Sequence, residues 1–210
     1  MEFALPVLLG LPDDAIAPGA QGQFGFGGTY FAANGRKTNA AMLFAKQGFI
    51  RFNELGGISG QSLKLGRMEF IDGTEIVPKD STLAALKRDR IAHRLIGNFG
   101  FSDVGRSFDG IQYSLDRSKL NLTLLAARPT RGIFQVDGWG TLKANVFYGA
   151  LTGQMKGKNR NGEWRLFGLG YSDYRDGVVK TDNRPLAVRT ADVDHIHIGT
   201  YGGHYLQTLR

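Results

Sequence analysis

The stretch from Arg106 to Arg128, RSFDGIQYSLDRSKLNLTLLAAR, limits the possible folds of this chain more than any other. Ile111, Tyr113 and Leu115 alternate with Gln112, Ser114 and Asp116. After Arg117-Ser118, Leu120, Leu122, Leu124 and Ala126 alternate with Asn121 and Thr123. A period of two places one set of side chains on each face of a strand. Two such strands joined by a short polar turn make an antiparallel hairpin. The pattern alone leaves open whether the apolar face points into a soluble core or out into lipid.

The same rhythm runs through most of the 210 residues. Thr38–Leu55 and Gln61–Phe70 read as strands separated by Gly56-Gly57. In Gly138–Gln154, Leu142, Ala144, Val146, Tyr148 and Ala150 form the apolar face, with Lys143, Asn145 and Phe147 opposite. Glu163–Asp173 and Asp192–Thr208 are further strands, joined by a polar loop over 176–189. Phe24 and Phe26 suggest a strand within Gln21–Ala33, turned at Asn34-Gly35. A helix is expected near 82–96, capped by Pro78–Thr82, stopped by Gly97 and placed in a loop between strands. This gives an N-terminal segment and linker over 1–22, then an all-β, up-and-down region of about nine strands over 23–210.

Composition narrows the function. There is no Cys, which excludes disulfides, thiol chemistry and Cys-ligated metals. The net charge of +7 favours an anionic partner. The basic residues are scattered through strands rather than clustered with stacking aromatics, which argues against nucleic acid. No apolar run reaches the length of a transmembrane helix, but membrane-spanning strands are short and alternate. Phe3–Leu11 has the outline of a signal-peptide core, against which stand Glu2, Pro6 and Pro18. No nucleophile–base–acid set stands out, so no enzymatic activity is expected. His195 and His197 could supply two metal ligands at strand spacing, without a third. No cofactor is implied; the glycines of GQFGFGG lack the helix and terminal Lys-Ser/Thr of a phosphate loop.

Three pieces in order resemble the alginate-export family of Gram-negative outer-membrane β-barrels. They are Lys46–Phe52 (KQGFIRF), Leu63–Arg67 (LKLGR), and Arg106–Ile111 (RSFDGI) followed by Leu124–Pro129 (LLAARP). Leu169-Gly170-Tyr171 and His197-Ile198-Gly199 also resemble family strands, so the likeness covers roughly residues 40 to 205. The resemblance implies an antiparallel up-and-down transmembrane β-barrel, or an open part of one, since family barrels are about twice this length. It further implies an outer-membrane porin for passive export of anionic solutes, acidic polysaccharide or organic acids. Its expected surroundings are the anionic solute inside and outer-membrane lipid outside.

In such a barrel the polar strand faces line the lumen. By parity the lumen receives Arg106, Gln112, Ser114, Asp116, Asn121, Thr123, Lys143 and Asn145, with Arg51 if Ile50 and Phe52 face lipid. Arg67 joins them if Gly66 forms a bulge. The basic helix with Lys87, Arg88, Arg90 and Arg94 is a candidate constriction, and Asp109 a candidate partner for a nearby Arg. The alternative is a soluble or membrane-associated β-barrel that binds an apolar ligand in its core.

Overall fold

The computed structural model describes residues 1–13, 25–157, 160–175 and 184–209. Its main feature is an eight-stranded antiparallel sheet in which neighbours in sequence are neighbours in space. The strands are β1 (Glu2–Ala4), β4 (Phe44–Asn53), β5 (Gln61–Met68), β6 (Phe108–Asp116), β7 (Leu120–Pro129), β8 (Ala144–Gly157), β9 (Arg160–Asp173) and β10 (Ile196–Leu209), paired in that order. A small ribbon pairs β2 (Val7–Leu8) with β3 (Ala40–Ala41). Among the described residues three α-helices, α1 (Gly25–Ala33), α2 (Ser81–Arg90) and α3 (Leu186–Ala191), lie in the connections. Among the described residues no ladder joins β10 back to β1 or β4, so the sheet is all-β and up-and-down with two open edges.

The opening hairpin forms as its alternation dictates. Ile111 faces Ala126, Tyr113 faces Leu124 and Leu115 faces Leu122 on one side of the sheet. Ser114 faces Thr123 and Gln112 faces Leu125 on the other. The two faces have different fates. One is covered by the long connection 69–107, whose Phe70, Leu95 and Ile96 pack on Phe108, Leu125, Val146 and Tyr148. We call this the inner face. The other is uncovered: Ile50, Ile111, Leu124, Phe147 and Leu166 are each between 44% and 63% exposed.

Strand β8 is inverted relative to the sequence expectation. Ala144, Val146, Tyr148 and Ala150 point inward and are buried, while Phe147 points outward. Asn145 also lies on the outward side, where it accepts a hydrogen bond from Arg128 Nε at 3.1 Å. The reason is non-local: the connection 69–107 places an apolar layer on the inner face here, so apolar side chains are favoured on both sides.

The bulge expected at Gly66 does not form. The ladders of β5 with β4 and β6 run without a register shift through Gly48↔Arg67 and Arg67↔Asp109. Gly66 instead permits a close approach. Its φ is +126°, and a Cβ there would stand 2.5 Å from the Gly48 carbonyl oxygen.

The aromatic stretch expected as a strand near Phe24 is also different. Phe24 lies outside the described residues, and Gly25–Ala33 is helical. Tyr30 of α1 is buried against Phe44, Val104 and Val136 in a second, smaller core at one end of the sheet. Gly35, with φ +69°, follows the helix as a stop rather than turning a hairpin. The helix expected over 82–96 ends earlier, at Arg90, and His93 is left-handed with φ 63°. Asp80 caps its start by accepting from the Thr82 and Leu83 amides. Part of the loop expected over 176–189 lies outside the described residues; the remainder contains α3.

Candidate functional site

The connection 69–107 divides the inner face into two clefts, and buried ion pairs fix it in place. Lys87 Nζ of α2 lies 2.8 Å from Glu163 Oε1 on β9 and also donates to the Ile76 carbonyl at 2.8 Å. One inward position along, Arg165 donates to Glu75 Oε1 at 2.8 Å, and Glu75 also accepts from the Tyr148 hydroxyl. Asp72, buried within the connection, accepts from the Leu95 and Ile96 amides at 2.9 and 2.7 Å. These groups escaped the sequence reading. The available signal was Glu163 and Arg165 at alternate positions of a strand, two charges of opposite sign on one face, which require partners when that face is covered.

The first cleft is polar, about 550 Å³, between the inner face of β4–β7 and the start of the connection. Gln112, Ser114, Asn121 and Thr123 line it, as expected by parity, with Arg51 and Lys64 beside them. Arg51 and Lys64 are directly opposite each other on β4 and β5, and neither forms an ion pair among the described residues. Lys64 Nζ lies 5.0 Å from the Phe49 ring centre. Four carboxylates also reach this cleft; Glu69 is engaged by Lys46 at 3.4 Å and Glu75 by Arg165. Glu54 and Asp116 have no ion-pair partner among the described residues, so the cleft carries two cations side by side on β4 and β5 and two carboxylates without a counter-charge.

The second cleft is apolar, about 750 Å³, at the opposite end of the same face. Leu95, Ile96, Phe99 and Phe101 form one wall, and Phe108, Val146, Leu169, Tyr171 and Ile198 the other. Arg106 enters it from the loop before β6, with its guanidinium 5.4 Å from the Phe99 ring centre.

The remaining candidates are dispersed. Arg67 stays on the outward side, donating to both oxygens of Asp109 at 2.6 and 2.7 Å and to the carbonyls of Ala45, Gly138 and Trp139. Asp109 thus has its Arg partner, but the pair lies on the face opposite the clefts. Arg88 is exposed and pairs with Asp89 at 2.8 Å; Arg90 is exposed; Arg94 donates to the Arg90 carbonyl at 3.2 Å. Of the four basic residues, Lys87 reaches the inner wall at β9, and Arg94, beyond the end of α2, lines the rim of the apolar cleft that also holds Arg106. Lys143 is exposed just before β8, following the outward parity of Asn145. Asp116 lines the mouth of the polar cleft. His197 lies on the outward side, 3.0 Å from Ser172 Oγ, and no group of three metal-ligating side chains occurs among the described residues.

The outward face has its own order. Arg67, Asp109, Arg128, Asn145, Ser172 and His197 follow one another from β5 to β10, paired in the ladders except for Arg128 and Asn145, which are joined by their side-chain hydrogen bond. They form a polar row along one end of the sheet, and the apolar side chains begin immediately beyond it. No family model matches the chain, and no curated protein or solved structure is significantly similar to it.

Proposed function

We propose that this chain is a segment of an outer-membrane β-barrel channel of a Gram-negative bacterium, passing anionic solutes such as acidic polysaccharide or organic acids by diffusion. The observation that carries the reading is the uncovered apolar field from Ile50 across Ile111, Leu124 and Phe147 to Leu166, bordered by the polar row. In water an apolar field of this extent is a liability; against hydrocarbon it is the stable surface. Strands β4–β7, with 8 to 10 residues each, suit the roughly 9–11 residues a tilted spanning strand needs. The motif pieces resembling alginate-export barrels support the same reading.

On this reading the two open edges, β1 with the part of β4 that β1 leaves unpaired, and β10, are where the barrel wall continues, because an unpaired edge cannot lie in hydrocarbon. The polar cleft with Arg51 and Lys64 is the solute path, and the latched connection narrows it. Conduction is passive, without catalysis or cofactor. The test is reconstitution of the full-length protein in planar bilayers. Anion-selective conductance is expected; cation selectivity, or no conductance, overturns the proposal.

A second reading, a soluble or membrane-associated barrel that binds an apolar ligand, is favoured by the apolar cleft. It requires the protein to remain monomeric in water without detergent.

A further inference from the structure

Arg106 is placed where a cation needs a reason. Its Nε is buried and has no hydrogen-bond partner, and its guanidinium forms no ion pair among the described residues. Its contacts are the Phe99 ring and the apolar cleft it lines. The residue as a whole is half-buried, and a charge so placed without a counter-ion is costly. Burial accordingly pulls the guanidinium below the ordinary arginine range; the nearby Tyr171 opposes this and the cation of Arg175 adds to it. The carboxylate at this end of the sheet, Asp173, cannot neutralise it. Asp173 already accepts from Arg175 and from the Tyr171 hydroxyl. Elsewhere on the inner face Lys87 and Arg165 each have a carboxylate within 2.8 Å. Arg106, like Arg51 and Lys64 of the polar cleft, has none among the described residues, but it opens onto an apolar cleft whose volume lies in the range of small-molecule sites, about 300–1000 Å³.

We propose that this cleft is a binding site for an amphiphilic monoanion, a medium- or long-chain carboxylate, with its headgroup on Arg106. The carboxylate accepts from Nε and a terminal nitrogen of the guanidinium, the bidentate geometry the Arg fork favours. The hydrocarbon chain runs along Phe108, Val146, Leu169 and Ile198. A polar solute such as an oligosaccharide would leave those walls wet and its hydroxyls without partners. A neutral apolar ligand would leave the guanidinium uncompensated. The site goes beyond conduction and does not depend on it.

The test is calorimetric titration of the full-length protein in maltoside micelles with decanoate, decanol and acetate, each corrected against empty micelles. Saturable one-to-one binding of decanoate is expected, with decanol and acetate at least tenfold weaker. Arg106→Gln should weaken decanoate at least tenfold and leave decanol unchanged. Ile198→Trp, which fills the chain end of the cleft, should weaken both amphiphiles. Equal binding of decanoate and decanol by the wild type would overturn the proposal without recourse to any variant. Undiminished decanoate binding by Arg106→Gln, or binding of acetate as tight as decanoate, would also overturn it. Because binding is read without a bilayer, it can fail while conductance persists, and the reverse.

Discussion

Lys87 and Glu163, separated by 76 residues in sequence, meet at 2.8 Å with their side chains no more than 4% exposed. This pair joins α2 to the wall of β9 and so holds the connection 69–107 across the inner face. Removing Lys87 leaves the buried Glu163 with only the His204 ring, 3.5 Å away, and breaking such a pair typically costs about 3–5 kcal/mol. Lys87→Met is therefore expected to be strongly destabilising, and Lys87→Met with Glu163→Leu to recover most of the loss. A double-mutant cycle in denaturant unfolding measures this. Additive losses would mean that the pair is not the anchor.

Separating Arg67 from the clefts changes which charges should matter for selectivity. Arg51→Glu together with Lys64→Glu places two carboxylates on the wall of the polar cleft, and the reversal potential should shift toward cations. Arg67→Glu alters a residue on the outward side and should leave the reversal potential where it was. Its cost appears in stability instead, since Asp109 and three backbone carbonyls lose their donor. A large selectivity shift from Arg67→Glu would contradict the placement of this side chain.

Burial raises the Asp72 carboxyl above its ordinary value of 3.8, outweighing the amide donations from Leu95 and Ile96 and the nearby Arg165. The folded protein thus holds this proton more tightly than the unfolded chain. The resulting contribution to stability is fully present below pH 3.8 and is lost as pH rises through the folded value. Asp72→Asn keeps an oxygen for the two amides but no longer titrates. The variant should compare least favourably with wild type under acid conditions and gain on it toward neutrality. Thermal unfolding at a series of pH values checks this, and a difference that grows toward neutral pH has the wrong sign.

Leu124 stands in the middle of the outward field, opposite Tyr113 and Gly149. In lipid, an arginine near the bilayer midplane costs about 2–4 kcal/mol. Leu124→Arg should reduce folding into vesicles by about that amount, and Leu120→Arg, nearer the strand end, by less. Equal and negligible effects at both positions would argue against a lipid-facing surface.

The parts legible in the sequence were those decided between adjacent strands. The β6–β7 hairpin is set by its own alternation, and both its register and its outward apolar set agree with the pattern. Strand β8 was misread because its inward apolar residues answer to Phe70, Leu95 and Ile96, which arrive from a connection remote in sequence. Period two identifies two faces but not which one a distant segment will cover. Helix α1 was hidden for a related reason. Its glycine-rich sequence carries no helical periodicity, and packing of Tyr30 into the end core decides the outcome. The clefts were half legible: Gln112, Ser114, Asn121 and Thr123 fall where parity puts them. The ion pairs that fix the connection depend on contacts 76 and 90 residues apart and have no local pattern.

The central claim is that the uncovered apolar face meets lipid and the opposite face meets water. The absence of cysteine allows single labels without background. Nitroxides at Ile111→Cys, Leu124→Cys and Phe147→Cys would be compared with those at Arg51→Cys and Gln112→Cys in vesicles. Oxygen dissolved in the bilayer should reach the first group and a water-soluble nickel chelate the second, alternating with period two along β6. Nickel access at Ile111, Leu124 and Phe147, with oxygen showing no preference between the faces, would contradict the claim.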